Sequence, residues 1–250
     1  MKISIITVTH NSESTILSAL ESLNEQSFRN VEHIIIDGAS TDDTLEIVHE
    51  NSTSRTLIIS EPDDGIYSAL NKGLRLATGD IIGLLHSDDA YYDSSTLQHI
   101  ITTICYAKAD FVYGDLVFCS NKKLRLFNRM WKSSSYNASM LFKGWMPPHP
   151  TLFVKREVVN LVGMYDERYK ISADYDFIIR LCLQKGVKGI YTEQPIVKMS
   201  VGGASGNAPL KFCQKSLEDY KIIKRNKLGG LWCLLLKKLR KLTQLSLRLI

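Results

Sequence analysis

Two adjacent carboxylates, Asp88 and Asp89, close the stretch Gly79 to Asp89 (GDIIGLLHSDD). Side by side at the end of an apolar run, they are costly unless positive charge sits with them. A divalent cation carrying phosphates is the usual solution, because hard oxygen ligands suit magnesium or manganese. The plainer alternative is a polar turn that caps the next helix. Three further polar clusters follow apolar runs: Thr9-His10-Asn11, Asp37-Gly38-Ala39-Ser40 and Glu61-Pro62-Asp63-Asp64-Gly65. Each alone is ordinary loop chemistry. Together they would line one crevice if the preceding runs are parallel strands, whose carboxyl ends share a side. No GxGxxG follows the first run and no GxxxxGK[ST] occurs anywhere, so the dinucleotide fingerprint and the P-loop are absent. A nucleotide bound here would be held through base and ribose contacts, with a metal on its diphosphate.

The elements that must position these clusters are legible as alternating runs. Lys2–Thr9, Val31–Asp37, Thr56–Ser60 and Asp80–Leu85 are apolar or β-branched and without polar alternation, as in strands covered on both faces. Between them, Ile16, Leu17, Leu20 and Leu23 recur at helical spacing after Ser14. Ser40 with Asp43 resembles a capping box opening a second helix, and Tyr67–Thr78 reads as a third that stops at Gly79. Four strand–helix alternations in about 90 residues call for a mostly parallel sheet with right-handed crossovers, an α/β fold. Beyond Asp93 the pattern predicts a helix over 95–107 and a hairpin of Phe111–Phe118 with Lys123–Phe127 around Asn121-Lys122. Later come a strand at Thr151–Val154, helices at Glu157–Val162 and Asp174–Lys185, and two short strands, Val187–Thr192 and Ile196–Met199. The segment 130–150 is aromatic and poorly periodic, 202–207 (GGASGN) reads as a loop, and the remainder reads as helical.

The chain has 250 residues, 44% apolar and 23% charged, enough for one full core. Five cysteines without CxxC spacing argue against a zinc knuckle or disulfide framework and favour a reducing, cytoplasmic setting. The N-terminus does not read as a signal peptide. The net charge of +5 is unevenly spread: nine Lys and Arg and no acidic residue follow Tyr220, which leaves the first 220 residues at −4. That distribution speaks against nucleic acid as a partner and points the tail at an anionic surface.

The succession ISIITVTHN, IIIDGASTDDT, SEPDDGIYSALNKGLRLATGD and LLHSDD resembles family 2 of the inverting glycosyltransferases with the GT-A fold. The resemblance is strongest to bacterial members that build surface polysaccharides and O-antigens. It extends over 1–206, divided into a nucleotide-sugar half (1–92) and an acceptor half (93–206), with PPHPTLFVKREVV and MYDERYKISADYDFIIRL carrying the second. It implies a sugar moved from a nucleotide donor, UDP above others, to a hydroxyl of a lipid-linked glycan. Thr9 and Asn11 would border base and ribose, and Asp37 would meet the uracil edge. Asp63 or Asp64 would sit beside the nucleotide, and Lys72 would reach a phosphate or simply face solvent. SDD stands where the family has a DxD-type element: Asp88 towards ribose or metal, Asp89 on a manganese or magnesium ion. Asp174 would be the base that takes the acceptor proton. Ala173 replaces the usual Glu there, which keeps Asp176 as a second candidate. His149 and Trp145 would lie on the acceptor or diphosphate side, though His149 also suits a structural hydrogen bond and Trp131 and Trp145 also suit packing. A sugar nucleotidyltransferase or a silent binding scaffold is the rival reading.

In the tail (207–250), Leu231, Leu235, Leu239, Leu242, Leu245 and Leu249 form one helical stripe with basic residues largely off it. The apolar run 228–236 is too short to span a bilayer. A basic amphipathic helix with Trp232 near its start suits peripheral contact with an anionic membrane over 221–250. Packing on the body is one alternative. Self-association as a homodimer through Leu228, Leu235, Leu242 and Leu249 at heptad spacing is the other.

Overall fold

The computed structural model describes residues 1–119, 127–200 and 209–246. In the first third, β1 (Ile3–Thr9), α1 (Ile16–Asn24), β2 (Val31–Asp37), α2 (Thr44–Asn51), β3 (Thr56–Ser60), α3 (Ile66–Leu76) and β4 (Ile81–Leu84) alternate as the sequence predicts. β1, β2, β3 and β4 are mutually parallel, in the order β3-β2-β1-β4. Every residue of β1 is buried, which is why the run carries no polar alternation. The register sets Thr9 beside Asp37 and Asp37 beside Ser60, so three polar strand ends share one edge. α3 lies close on β1 because Gly73 has no side chain: a Cβ there would meet Ile6 Cγ2 at 2.4 Å.

After β4 come β5 (Asp89–Tyr91), α4 (Thr96–Ala107), β6 (Phe111–Cys119), β7 (Phe127–Trp131), β8 (Phe153–Lys155), α5 (Arg156–Val162), α6 (Ala173–Leu183) and β9 (Gly189–Ser200). The sheet continues β4-β8-β6-β9-β5, with β7 on β6. β8 is antiparallel to β4 and β6, β5 is antiparallel to β9, and β6 is parallel to β9. β5 follows β4 in the chain yet lies at the far end of the sheet. One sheet therefore runs through both halves, with core on both faces.

Two local expectations change. The Ser40–Asp43 capping box does not form: Ser40 turns back to Asp37, and Asp42 instead accepts from the backbone N–H of Thr44 at 3.1 Å. The two strands expected between Val187 and Met199 are one twelve-residue strand, β9. It absorbs its irregularity in a register shift opposite Asp115 and in Glu193 at φ 55°. The hairpin connection at Asn121-Lys122 and the loop 202–207 lie outside the described residues.

The tail forms α7 (Pro209–Arg225) and α8 (Leu231–Ser246), joined through Gly229 and Gly230 at positive φ. α8 packs on the body. Gly144, at φ 67°, lies so close that an added Cβ would meet Lys237 Cβ at 2.5 Å, and Cys233 Sγ reaches Leu141 O at 3.3 Å. Leu228 is fully buried in the core between the two helices, so it cannot begin an intermolecular heptad seam. The side chains of Leu242, Leu245 and Leu249 are outside the described set. Among the described residues no helix is long and apolar enough to cross a membrane.

Candidate active site

The carboxyl ends of β1, β2 and β3 and the turn after β4 form one polar edge. Asp37 is its buried centre. Its carboxylate accepts from the Ser40 N–H at 2.9 Å, the Ser40 hydroxyl and the Ser60 hydroxyl at 2.7 Å. With no exposed surface of its own, it holds the loop, and a base could reach it only by displacing a serine. Asn11, at φ 49°, is exposed and clasps the same loop. Its N–H donates to Ser40 Oγ at 2.8 Å, and its Oδ1 accepts from the Thr41 N–H at 2.9 Å. The Thr9 hydroxyl is buried and without a hydrogen-bond partner. Ser12 and Ser87 hydroxyls meet at 3.0 Å, tying this edge to the SDD turn.

Asp63 and Asp64 differ in their surroundings: Asp63 is the inner of the two. It is largely buried beside Gly38, whose notional Cβ lies 3.6 Å from Asp63 Oδ2, whereas Asp64 is exposed. Lys72 is committed locally. Its ammonium pairs with Asp63 at 2.5 Å and Glu61 at 2.7 Å, so it pins the 61–63 loop and has no free charge to offer a phosphate in this arrangement.

Asp88 is half-buried, and Asp89 is buried, with Oδ1 lacking any hydrogen-bond partner. Burial and then the neighbouring Asp88 push the Asp89 carboxyl well above the ordinary carboxylate range. An orphaned buried carboxylate oxygen next to a second carboxylate fits a divalent cation. Among the described residues no group of three or more His, Cys, Asp or Glu is arranged to hold one. Magnesium or manganese is a cation that one or two carboxylates can hold while phosphates and water complete the shell.

Asp174 sits in the first turn of α6, partly exposed, and takes a hydrogen bond from Tyr67 Oη at 3.3 Å. Burial raises its carboxyl, but the charges of Lys215 and Lys237 and the Tyr175 N–H outweigh this and hold it below its usual value, ionised. Asp176 is different. It is buried and bound to Arg180 Nε at 2.7 Å, and Arg180 also donates to the carbonyls of Gly163 at 3.1 Å and Met164 at 2.7 Å. It fastens α6 to the segment after α5, whereas Asp174 is partly exposed.

Two histidines feel these carboxylates: His86 the charges of Asp88 and Asp174, and His149 that of Asp174. The rings of His86 and His149 are 6.4 Å apart, and His149 Nε2 shares a proton with Tyr165 Oη at 2.8 Å. Burial pushes His149 down to about 4, against the pull of Asp174. Burial also lowers His86, opposed by Asp88 and then Asp174. Both are uncharged at neutral pH. Asn71 of α3 fixes this wall by bonding both backbone groups of Tyr165 at 2.9 Å. Trp145 is not at the surface: it stacks on Tyr136 and meets Tyr113 edge-on, each at 5.7 Å, and its indole N–H donates to Ser134 Oγ at 3.1 Å. Trp131 packs against the core beside β6. Sequence reading passed over His86, Tyr67 and Tyr165. His86 was findable as the first polar residue after a buried strand on the ligand edge, whereas the tyrosines carry no local signal.

This mixed sheet, with polar strand ends gathered at one edge, defines a GT-A-type α/β transferase. The family profile described as Glycosyl transferase family 2 matches residues 4–160. The chain belongs to that family and is a transferase. It is 34% identical over 181 residues to the "PGL/p-HBAD biosynthesis glycosyltransferase" of Mycobacterium bovis, covering 71% of this chain and 68% of that one. Among solved structures it resembles S. aureus TarS (residues 1–349) at 18% identity and a TM-score of 0.67, over 92% of this chain. It spans only 65% of that solved fragment's length. It also resembles the mannosyltransferase PcManGT of Pyrobaculum calidifontis, solved in complex with GDP-Man and Mn2+, at 18% identity and a TM-score of 0.61. That match covers 98% of this chain and 75% of the other. At these identities the two structures speak to the fold.

Proposed function

We propose that the protein is a metal-assisted, inverting glycosyltransferase that moves one sugar from a uridine-diphosphate donor to a hydroxyl of a growing glycan. Residues 1–92 would take the donor and 93–206 the acceptor. The observation that supports this reading is Asp174, a partly exposed carboxylate held below its usual value, whose charge is felt by the same His86 that feels Asp88. TarS, of similar fold, has been solved in complex with UDP-GlcNAc, which favours uridine over guanosine as the first nucleotide to test.

In this reading Asp88 and Asp89 hold a divalent cation, which when bound neutralises charge building on the departing diphosphate. Thr9 and Asn11 border the nucleoside, Asp37 sets the loop beneath it, and Asp63 with Lys72 walls the crevice. Asp174 accepts the proton of the acceptor hydroxyl as that oxygen bonds to the anomeric carbon. The bond from that carbon to the diphosphate oxygen breaks on the opposite face. Tyr67 is kept protonated by burial, reinforced by the Asp174 charge, and its one hydroxyl proton is shared between the Ile171 carbonyl and Asp174. His149 stays uncharged at neutral pH.

A lipid-linked acceptor at the inner face of the cell membrane, in surface-polysaccharide synthesis of the O-antigen kind, is the setting we favour. The outer face of α8 exposes Leu231, Trp232, Leu235 and Leu239, with Lys238 at its border. An apolar stripe edged by cations complements an anionic lipid surface. Flotation with phosphatidylglycerol-containing but not phosphatidylcholine vesicles is the expected result; a dimer that hides the face and ignores both would overturn it.

The test of the donor site is calorimetric titration with UDP, with and without manganese, repeated on Asp89→Ala. Manganese-dependent binding lost in the variant is expected. GDP binding in preference to UDP would overturn the donor assignment, and binding of neither would overturn the function.

A further inference from the structure

The tail helices do more than cover the body. We propose that Glu218 on α7 is the positioning residue for Asp174, so that the C-terminal helix pair is part of the catalytic apparatus; this rests on the reading of Asp174 as the base. Glu218 is buried, and its carboxylate accepts three consecutive backbone N–H groups: Lys170 at 3.1 Å, Ile171 at 2.9 Å and Ser172 at 3.0 Å. Gln214, one turn earlier on α7, donates to Glu218 Oε1 at 3.1 Å and orients it.

Those three N–H groups belong to the residues that lead into α6, and Ser172 gives that helix no side-chain cap. A helix entrance normally finds its acceptor locally. Here a carboxylate 46 residues further along the chain supplies it. The opposite side of the same peptide is held as well, since Tyr67 Oη donates to the Ile171 carbonyl at 2.8 Å and also reaches Asp174. The peptide is therefore clamped between α3 and α7, and Asp174 follows it by three residues. Its side chain can point at an acceptor only as well as this entrance is fixed.

α7 is itself locked. Arg225 pairs with Asp166 at 3.0 Å. Asp219, beside Glu218, pairs with Lys237 of α8 at 2.8 Å, and the Lys237 ammonium lies 3.2 Å from the centre of the Tyr175 ring. Tyr175 is the residue after Asp174. The chain of contacts from α8 through α7 thus ends on both sides of the base. Displacement of a catalytic group by about 1 Å typically costs on the order of 100-fold in rate.

The experiment uses the full-length chain as Glu218→Gln, Asp174→Asn and the double variant. Transfer kinetics, UDP affinity and melting temperature are measured for each. Glu218→Gln keeps the size of the side chain but turns an amide N–H₂ towards N–H donors. We expect kcat to fall on the order of 10- to 100-fold, with UDP affinity within about twofold of wild type. On the Asp174→Asn background the same substitution should add nothing. Wild-type kcat in Glu218→Gln beside an inactive Asp174→Asn overturns the inference and leaves the base intact. So does a further loss in the double variant as large as the one Glu218→Gln causes alone. Undiminished transfer by Asp174→Asn overturns the base and the inference together. Should Glu218→Gln not fold, Glu218→Asp, which keeps the charge and shortens the reach, is judged by the same criteria.

Discussion

Replacing Asp89 by Asn should make the metal-free protein more stable, an advantage that loading with metal and nucleotide should largely remove. The buried carboxylate of Asp89 has one oxygen without a hydrogen-bond partner and Asp88 as its neighbour. Such an unsatisfied buried group costs about 1–3 kcal/mol, more when charged. Asn keeps the shape and removes the charge. For a chain of this size 1 kcal/mol corresponds to about 2–4 °C in melting temperature, so a rise of roughly 2–12 °C is expected without ligand. The pH dependence has a definite sign. A carboxyl whose folded value is raised destabilises the native state as pH climbs above the ordinary carboxylate range, so the gap between variant and wild type should widen as pH rises from that range towards neutrality. Manganese with UDP at about 100 times the dissociation constant adds about 2.7 kcal/mol to the wild type alone, offsetting most or all of that gap. Differential scanning calorimetry of both proteins, with and without manganese and UDP, reads all three effects. A ligand-free variant that melts at or below wild type, or equal stabilisation of both by ligand, would refute the reasoning.

Removing Arg180 as Arg180→Met strands the buried Asp176 charge and should cost about 3–5 kcal/mol by urea unfolding. Transfer per folded molecule should be retained, unlike in Asp174→Asn, which separates the structural Asp176 from Asp174. Gly144→Ala puts a methyl into Lys237 at a left-handed position, and left-handed strain with overpacking should cost about 2–4 kcal/mol. Early proteolysis of α8 should accompany the loss, and a protected α8 would count against its docking. Buried His33, pushed down to about 3, and His149, to about 4, both stay neutral in the fold. As pH falls below about 6.5 the unfolded chain takes up protons the native state refuses, so stability drops by about 2.7 kcal/mol per pH unit for the pair towards about pH 4. His33→Gln should halve that slope, and an unchanged slope would show that His33 is protonated in the fold.

The first ninety or so residues were legible because each strand is a continuous apolar run ending on a polar cluster, and parallel strands put such ends together whatever the loops do. β5 was not legible, since so short a strand carries no period. β9 was misread as two strands because Glu193 and Pro195 look like a break, while pairing with β6 overrides them. The candidate carboxylates were visible by type, but their roles depended on partners remote in sequence. Asp176 is spent on Arg180, Lys72 on Asp63 and Glu61, and Trp145 on two tyrosines. Glu218 had no signal at all: its partners are backbone groups of a loop far earlier in the chain.

The pairing of β5 with β9 has a consequence for biosynthesis. Asp89 sits on a strand whose partner runs from Val197 to Met199, made about 110 residues later. While a ribosome is still adding β6 to β8, β1 to β4 can already pair among themselves, but the edge that carries Asp89 stays unsealed. A fragment ending before β9 would hold a folded base-and-ribose edge with an open carboxylate turn. If the proposed donor site is right, competence to hold a loaded donor would arrive with β9, and a truncated chain would be unable to sequester a nucleotide sugar it had no means to use.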